Sequence, residues 1–138
     1  MEDCIFCKII KGEIPAYKIY EDDAVLAFLD IHPVAKGHTL IIPKEHAKDI
    51  FEIEGQTLEK IAFVSKKIAV KMKDNLDVEA VNLYHASGID AEQTVFHFHL
   101  HVIPRKKGDS INFTRAAAGK DNFSDNFSEI AEKLKIEG

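Results

Sequence analysis

The sequence predicts an α+β domain in which one antiparallel sheet of about five strands is accompanied by two main helices. Short apolar runs bounded by turn residues indicate the strands, and a long stretch with apolar residues at helical spacing indicates the first main helix. The 138 residues match the length of one ordinary domain, and no repeat or linker divides them. We therefore expect a single domain over residues 1–138, with a core at about 4–109 and a C-terminal helix at about 123–135.

The first thirty residues contain one helical pattern and two strand patterns. Residues 4–11 carry apolar side chains at helical spacing and are followed by Gly12, a residue typical of the position just past a helix end. Residues 17–20 and 24–30 have the composition of strands and are separated by a short acidic turn. They therefore predict a β-hairpin.

The middle of the chain predicts a strand, a long helix and another strand. Residues 38–42 form the strand pattern, which Pro43 ends. Residues 57–73 predict the helix, and residues 80–84 predict the strand after it. The apolar or small residues that recur at helical spacing in 57–73 are Leu58, Ile61, Ala62, Ser65, Ile68, Ala69 and Met72.

The last third of the chain carries an unusual strand pattern between two less regular segments. Residues 86–93 contain a glycine and predict a loop that leads into a histidine-rich strand at 95–105. We expect the apolar face of this strand to pack against the long helix. The second main helix is predicted near the C-terminus from the spacing of Phe123, Phe127, Ile130 and Leu134.

Composition argues against several classes of function. The net charge is −5 and the one dense basic run is 105–107, whereas proteins that bind duplex nucleic acid usually carry a broad basic surface. No apolar run approaches the length of a membrane span, and the N-terminus lacks the pattern of a secretory signal. We therefore expect a cytoplasmic protein without a nucleic-acid or membrane partner. In that compartment Cys4 and Cys7, which are separated by two residues, indicate half of a metal site or a redox pair.

Three histidines occupy alternate positions in the histidine-rich strand. Because successive side chains of a strand point to opposite faces, His97, His99 and His101 would line one face at spacings of roughly 7 Å. Core packing does not explain such a row, because each buried imidazole without a hydrogen-bond partner lowers the free energy of unfolding by about 1–3 kcal/mol. The residues alone leave three explanations open: an exposed polar face, a three-histidine metal site, and nucleophilic catalysis at phosphorus.

The segment 97–103, His-Phe-His-Leu-His-Val-Ile, resembles the signature of the histidine triad nucleotide-binding proteins. Residues 28–31, 37–46 and 93–95 resemble other blocks of that family, and the resemblance covers 4–109 in the expected order. It implies the HIT-like fold and a nucleotide hydrolase or transferase. Such an enzyme cleaves a bond at the α-phosphate of an adenosine nucleotide through a covalent nucleotidyl-histidine. Both an amine and a further phosphate chain stay open as the leaving group.

The resemblance implies a catalytic role for each of several residues. His99 would be the nucleophile, His101 would contact the phosphate and assist the leaving group, and His38 would border the same pocket. Gln93 and Thr94 would hydrogen-bond the phosphate or bridging oxygens, where developing charge needs fixed donors.

The nucleoside would be held by a carboxylate and an apolar pocket. Asp30 matches the acidic residue that accepts hydrogen bonds from both ribose hydroxyls, although a turn-capping role would also suit it. A flat base gains free energy by burial and stacking against apolar side chains. The positions that correspond to the base pocket, each of which could equally belong to the core, are Phe6, Ile9, Phe28, Ile31 and Leu40.

The cysteine pair also gains a meaning from the resemblance. In relatives that carry it, two histidines complete a structural zinc site, and they correspond to His46 and His97. Two thiolates and two imidazoles make a closed tetrahedral site, with free thiols as the alternative. We therefore expect a structural zinc ion on Cys4, Cys7, His46 and His97, and no organic cofactor.

Two positions depart from the family pattern. Ala86 stands where relatives usually have asparagine, and Glu92 replaces the glycine of the usual Ala-Gly-Gln sequence. Both lie in the loop 86–93, here called the substrate loop, so they keep open a nucleotide-binding regulatory module with vestigial catalysis. A three-histidine metallohydrolase stays open as a third function, because imidazoles at alternate positions of a strand can share one ion. The resemblance further implies a homodimer whose sheets join across the subunits, and a small nucleotide as the substrate.

Overall fold

The computed structural model describes residues 3–112 and 127–136. Its sheet is antiparallel throughout and has the strand order β1-β2-β3-β5-β4. The strands are β1 (Lys18–Glu21), β2 (Val25–Leu29), β3 (Thr39–Pro43), β4 (Ala80–Tyr84) and β5 (Leu100–Arg105). The helices are α1 (Ile5–Ile10), α2 (Gly55–Asn75) and α3 (Phe127–Leu134).

The predicted α+β class and five-stranded antiparallel sheet are confirmed. The strand predicted at 80–84 coincides with β4, and α2 extends two residues beyond the prediction of 57–73 at each end. Residues 123–126 of the predicted C-terminal helix lie outside the described residues, and α3 covers 127–134 of that prediction with its apolar side chains exposed. No helix in the described ranges is both long and apolar enough to cross a membrane.

The two faces of the sheet are covered by different helices, because side chains alternate along β3. Ile41 points into the layer between the sheet and α2, whereas Leu40 and Ile42 point to the side of α1. All five residues of β3 are buried, so this strand forms the centre of the domain. The layer under α2 is built from Val25, Ala27, Ile41, Ile61, Val64, Ile68, Met72, Phe98 and Val102.

The histidine-rich strand begins later than predicted. Strand pairing starts at Leu100 rather than at residue 95, and the amide of Phe98 donates to the carbonyl of Ala47 at 2.7 Å, outside the strand ladder. The neighbouring strand β3 ends at Pro43, which has no amide hydrogen with which to continue the ladder. The alternation of side chains nevertheless persists, because Phe98 packs with the α2 layer as predicted and the ring of His97 lies on the side of α1.

The turn between β1 and β2 is organised by one carboxylate. Asp22 accepts hydrogen bonds from the amides of Ala24 and Val25 at 2.8 and 2.9 Å and from the hydroxyl of Tyr20 at 2.6 Å, and pairs with Lys60 of α2 at 3.0 Å. Burial alone would raise the pKa of Asp22, but these hydrogen bonds outweigh it and hold the pKa well below its usual value. The ionised carboxylate therefore stabilises the hairpin and its contact with α2.

We expect Asp22→Ala to lower the free energy of unfolding by about 2 kcal/mol at neutral pH, since it leaves two amides without a partner. Because the pKa of Asp22 is lower in the folded than in the unfolded chain, the stabilisation is present above about pH 4. It is lost as the pH falls through the folded-state pKa. Urea unfolding at several pH values measures both effects. Asp23→Ala, at the exposed neighbour, is the control, and an equal effect of the two substitutions would contradict the prediction.

Candidate active site and metal centre

A cavity of about 320 Å³ opens between α1 and the sheet, beside the start of β5. Its lining is mostly apolar, with polar groups contributed from the ends of β2 and β5. The predicted site residues that line it are Phe6, Ile9, Phe28, Asp30, Ile31, Leu40, Thr94, His99 and His101. The fold thus gathers at one cavity residues that are distributed from the first helix to the last strand of the sheet.

Other residues line the cavity that sequence analysis did not single out. Three of them form the run 14–16, Ile-Pro-Ala, which follows Gly12 and packs against the apolar cluster under α1. The apolar composition of residues 14–16 is the sequence signal from which their place in the cavity lining could have been predicted. The remaining lining residues are Ile5, Leu29, His32 and Val95.

The ring of His99 has a fixed tautomer. Its Nδ1 lies 2.7 Å from the carbonyl oxygen of His97, and because a carbonyl can only accept, Nδ1 carries the proton. The neutral ring therefore has its lone pair on Nε2. Burial lowers the pKa of His99 from its ordinary value, which favours this neutral form.

The Nε2 atom of His99 has no hydrogen-bond partner among the described residues. Every buried side-chain nitrogen or oxygen in that part of the chain has a partner, so the unpartnered Nε2 is not buried. This nitrogen is therefore accessible from the cavity, where it can act as a nucleophile. An exposed polar face does not explain the histidine row, since His97 is 0% and His99 is 8% exposed.

His38 and His101 form a hydrogen-bonded pair behind the cavity. The amide of Val34 donates to Nδ1 of His38 at 3.1 Å, so the proton of the neutral His38 ring is on Nε2. That Nε2 lies 2.8 Å from Nδ1 of His101 and donates to it, which puts the His101 proton on its own Nε2. His101 can thus offer an N–H at the site, backed by a second imidazole.

The surroundings of this pair control its charge. Burial, followed by the neighbouring His99 and His38 rings, lowers the pKa of His101 to about 4. Burial also lowers the pKa of His38, although Asp30, whose carboxylate lies 3.6 Å from Nε2 of His38, opposes this. Both rings are therefore neutral near pH 7. When the pair takes up a proton, the carboxylate of Asp30 stabilises the positive charge.

Asp30, His38 and His101 also lie close enough together to hold a metal ion, with ligand atoms within 4.8 Å of one another. The amide of Val34 argues against an ion there. Nδ1 of His38 accepts from this amide, so ligation through Nε2 would require the ring to lose both protons. The hydrogen-bonded imidazole pair accounts for the close approach without an ion.

A second cluster, formed by Cys4, Cys7, His46 and His97, could bind a metal ion. Cys4 precedes α1 and caps it, because its Sγ accepts from the amide of Cys7 at 3.4 Å, so both sulfur atoms lie at one helix end. His46 follows β3, and His97 precedes β5. The sheet order makes these two strands neighbours, which brings both rings to the cysteines.

The distances in this cluster fit a tetrahedral ion. Nδ1 of His97 lies 3.3 Å from Sγ of Cys4 and 3.7 Å from Sγ of Cys7, and Nδ1 of His46 lies 3.4 Å from Sγ of Cys7. The two Nδ1 atoms are 3.1 Å apart. Ligand atoms around tetrahedral zinc are separated by about 3.3–3.8 Å, given Zn–N and Zn–S bonds of about 2.0 and 2.3 Å.

Protonation and orientation also suit a metal centre. Nε2 of His97 donates to the carbonyl of Pro43 at 2.8 Å, which leaves the Nδ1 lone pair directed at the cysteines. Burial lowers the pKa of His97 to about 4, so the ring is neutral and can ligate. Burial, followed by the nearby Cys4, raises the pKa of the Cys7 thiol, a penalty on the thiolate that a bound cation would offset.

Gln93 is the predicted site residue whose placement differs most from the expectation of a phosphate contact. It is buried, and its amide nitrogen donates to the carbonyls of Lys48 and Val95 at 2.7 and 2.9 Å. Its amide oxygen accepts from the amide of Gly88 at 2.7 Å. In this arrangement the side chain holds the substrate loop together, and a phosphate contact would require one of these bonds to exchange.

The two departures from the family pattern lie on the substrate loop without closing the cavity. Glu92 is exposed, is not among the residues that line the cavity, and has φ +69°, in the left-handed region that favours glycine. Ala86 offers no side-chain hydrogen bond. His85, which sequence analysis did not single out, hydrogen-bonds the backbone of His99 at 2.9 Å.

Known proteins resemble this chain closely. A family model described as the HIT domain matches residues 11–108. An uncharacterised HIT-like protein of Borreliella burgdorferi is 51% identical over 139 residues, which cover 99% of each chain. A Candida albicans protein called adenosine 5′-monophosphoramidase is 39% identical over 138 residues, which cover 97% of this chain and 90% of the relative.

A solved structure extends the comparison to the metal centre. A zinc-bound histidine triad family protein from Mycobacterium smegmatis superposes with a TM-score of 0.78 at 42% sequence identity, covering 81% of each chain. A zinc ion therefore occurs in a protein of this fold, and this chain has a cluster that could bind one.

Proposed function

The chain belongs to the HIT domain family, and from that premise we propose that it is a nucleotide hydrolase that cleaves adenosine 5′-phosphoramidates at the α-phosphate through a nucleotidyl-histidine intermediate. One observation carries the proposal. The unprotonated Nε2 of His99 is accessible from a cavity that also contains the carboxylate of Asp30 and an apolar wall. About 320 Å³ is within the size range of small-molecule pockets.

The nucleotide would be bound by groups that already line the cavity. The base would lie against Phe6 and Phe28, whose rings meet edge to face at a centroid distance of 5.6 Å. The ribose hydroxyls would donate to Asp30. Its Oδ1 also accepts from the amide of His32 at 2.8 Å, which fixes the direction of the carboxylate. This arrangement would present the α-phosphate to the histidines at the start of β5.

In the first chemical step, Nε2 of His99 attacks the α-phosphorus. A phosphorus–nitrogen bond forms to His99 while the bond from phosphorus to the leaving amine breaks. The amine takes the proton from Nε2 of His101. The His101–His38 pair takes up this proton from solvent when the anionic substrate binds, and the carboxylate of Asp30, 3.6 Å from Nε2 of His38, stabilises the positive charge of the pair until the amine accepts the proton.

In the second step, water attacks phosphorus and the bond from phosphorus to His99 breaks. The His101–His38 pair takes up the proton that water loses and then releases it to solvent, so both imidazoles return to their starting neutral tautomers. The products are AMP and the amine. Two low barriers replace one high barrier, which is the advantage of a covalent intermediate.

The metal centre would serve structure rather than chemistry. We propose that Cys4, Cys7, His46 and His97 hold a zinc ion, which would supply a fixed crosslink between α1 and the segment before β5. The ring of Phe6 on α1 contacts the ring of His99 at a centroid distance of 5.3 Å. If α1 is fixed, the base pocket and the nucleophile would therefore keep their positions relative to each other.

The small leaving group is favoured over a phosphate chain by the environment of Arg105. This residue could have met additional phosphates, but its guanidinium donates to Asp109, Asn82 and the carbonyl of Ile111. It also lies at the far end of β5 from His101. The name of the Candida albicans relative supports the same choice. The homodimer and the cytoplasmic location stay predictions.

A substrate panel tests the proposal. We expect AMP release from adenosine 5′-phosphoramidate, slower release from diadenosine polyphosphates, and no release from either with His99→Ala. Guanosine 5′-phosphoramidate reports the base preference. If AMP binds, as measured by calorimetry, but no substrate in the panel is hydrolysed, the regulatory-module interpretation would replace the enzyme.

A further inference from the structure

His85 lies between the substrate loop and the start of β5 and has no role in the mechanism above. It follows β4 directly and is partly buried. Its ring stacks on Phe98 at a centroid distance of 4.2 Å and an interplanar angle of 26°. Both ring nitrogens are hydrogen-bonded, Nδ1 to the carbonyl oxygen of His99 at 2.9 Å and Nε2 to the hydroxyl of Ser87.

The direction of these hydrogen bonds is determined by their partners. The carbonyl of His99 can only accept, so Nδ1 of His85 is the donor and Nε2 has the lone pair. The amide of Ile50 donates to Oγ of Ser87 at 2.9 Å, and the hydroxyl hydrogen of Ser87 is then directed to Nε2. One chain of hydrogen bonds thus runs from the loop before α2, through the substrate loop, to the backbone of His99.

The backbone of His99 needs such support, because it lies just outside the sheet. Pairing of β5 with β3 and β4 begins after it, with Leu100 opposite Ile41 and His101 opposite Tyr84. On the other side, the amide of Phe98 is held by Ala47. Among the described residues, the carbonyl of His99 is therefore held by the side chain of His85 rather than by the strand ladder.

We propose that His85 is a positioning residue for the nucleophile, which holds the carbonyl of His99 so that its ring stays oriented toward the cavity. The hydrogen bond from Nδ1–H of His99 to the carbonyl of His97 forms only while the backbone between the two residues keeps its conformation. A displaced His99 peptide would weaken that bond and misdirect Nε2. The inference rests on the proposed function only in taking His99 as the nucleophile.

Three substitutions of His85 separate the hydrogen bond from the packing. In His85→Asn the side-chain amide nitrogen takes the place of Nδ1 and can still donate to the carbonyl of His99. In His85→Gln it takes the place of Nε2 and cannot. In His85→Phe the stack on Phe98 is kept and both hydrogen bonds are lost. Asp90→Ala, at an exposed position of the same loop, is the control.

We expect His85→Phe and His85→Gln to lower kcat for adenosine 5′-phosphoramidate by about 10²-fold, the cost of a misplaced reacting group, with KM nearly unchanged. His85→Asn should keep kcat within about threefold of the wild type, since the donor is restored. Ser87→Ala should give an intermediate loss, because the hydrogen bond to Nε2 of His85 is removed and only the carbonyl of His99 then favours the Nδ1–H tautomer. Equal losses in the asparagine and phenylalanine variants, or no loss in either, would overturn the proposal.

Nitrogen chemical shifts of the histidine rings give a readout that does not depend on turnover. We expect the His99 ring to be the Nδ1–H tautomer in the wild type and in His85→Asn, and a mixture of tautomers in His85→Phe. A wild-type protein that neither hydrolyses the substrate nor forms an adduct on His99 would refute the proposed function alone. An unchanged His99 tautomer in His85→Phe would refute the positioning role alone.

Discussion

Replacement of His99 by alanine is expected to reduce the hydrolysis of adenosine 5′-phosphoramidate by at least about 10⁴-fold, because it removes the atom that forms the covalent bond. The remaining groups of the site can bind the nucleotide and donate a proton, but they offer no second unprotonated nitrogen with the same access to phosphorus. Steady-state AMP release measures the effect. Binding of AMP to His99→Ala, expected to be near that of the wild type, shows that the pocket is intact.

The intermediate itself can be observed. Rapid quenching of the wild-type reaction, followed by mass spectrometry of peptides, should find an adenylyl group on His99, and the same treatment of His99→Ala should find none. Residual activity within tenfold of the wild type, or an adduct on another residue, would contradict the assignment of the nucleophile.

The structure gives physical reasons why the three triad histidines do not act as equivalent ligands of one ion. Nδ1 of His97 is directed at the cysteines, whereas Nδ1 of His99 is occupied by the carbonyl of His97. His101 accepts from His38 instead. A three-histidine metallohydrolase would lose activity at once on chelation, while the covalent mechanism requires only that the fold survive.

The parts of this protein that periodicity determines could be predicted from the sequence. The alternation of 97–103 indicated which side chains share a face, and that alternation holds even where no strand pairing exists. The spacing in 57–73 likewise identified the apolar stripe of α2, since Ile61, Ile68 and Met72 are buried beneath it. These features depend on local geometry, which each segment carries in its own sequence.

Features that depend on distant contacts could not be predicted in this way. The late start of β5 results from Pro43, a residue of another strand with no amide hydrogen to offer. The hydrogen bond of His85 to His99 requires two loops to come into contact, and no spacing of residues in the sequence predicts that contact. The metal set was expected from family resemblance alone, because Cys4 and Cys7 lie far in sequence from His46 and His97.

The second large effect is expected on loss of the metal centre. We expect the purified protein to contain about one zinc ion per chain, and Cys7→Ser to contain little. Removal of the ion should lower the free energy of unfolding by several kcal/mol, less than the roughly 10–16 kcal/mol of zinc binding to zinc-finger peptides. The reason is that two buried and two partly buried groups, among them two thiolates that repel one another, lose the cation that offsets their burial.

Metal analysis and urea unfolding with and without a chelator measure this effect, and Cys7→Ser provides its own control because a chelator should not destabilise that variant further. We expect activity to fall in parallel with the ordering of α1, since Phe6 contacts both His97, a proposed metal ligand, and His99, the proposed nucleophile. Activity that vanishes on chelation while the unfolding midpoint stays constant would instead indicate an ion that takes part in the chemistry. If the ion is instead a crosslink that orders α1, chelation lowers the stability first. Turnover then falls because α1 no longer forms one side of the pocket.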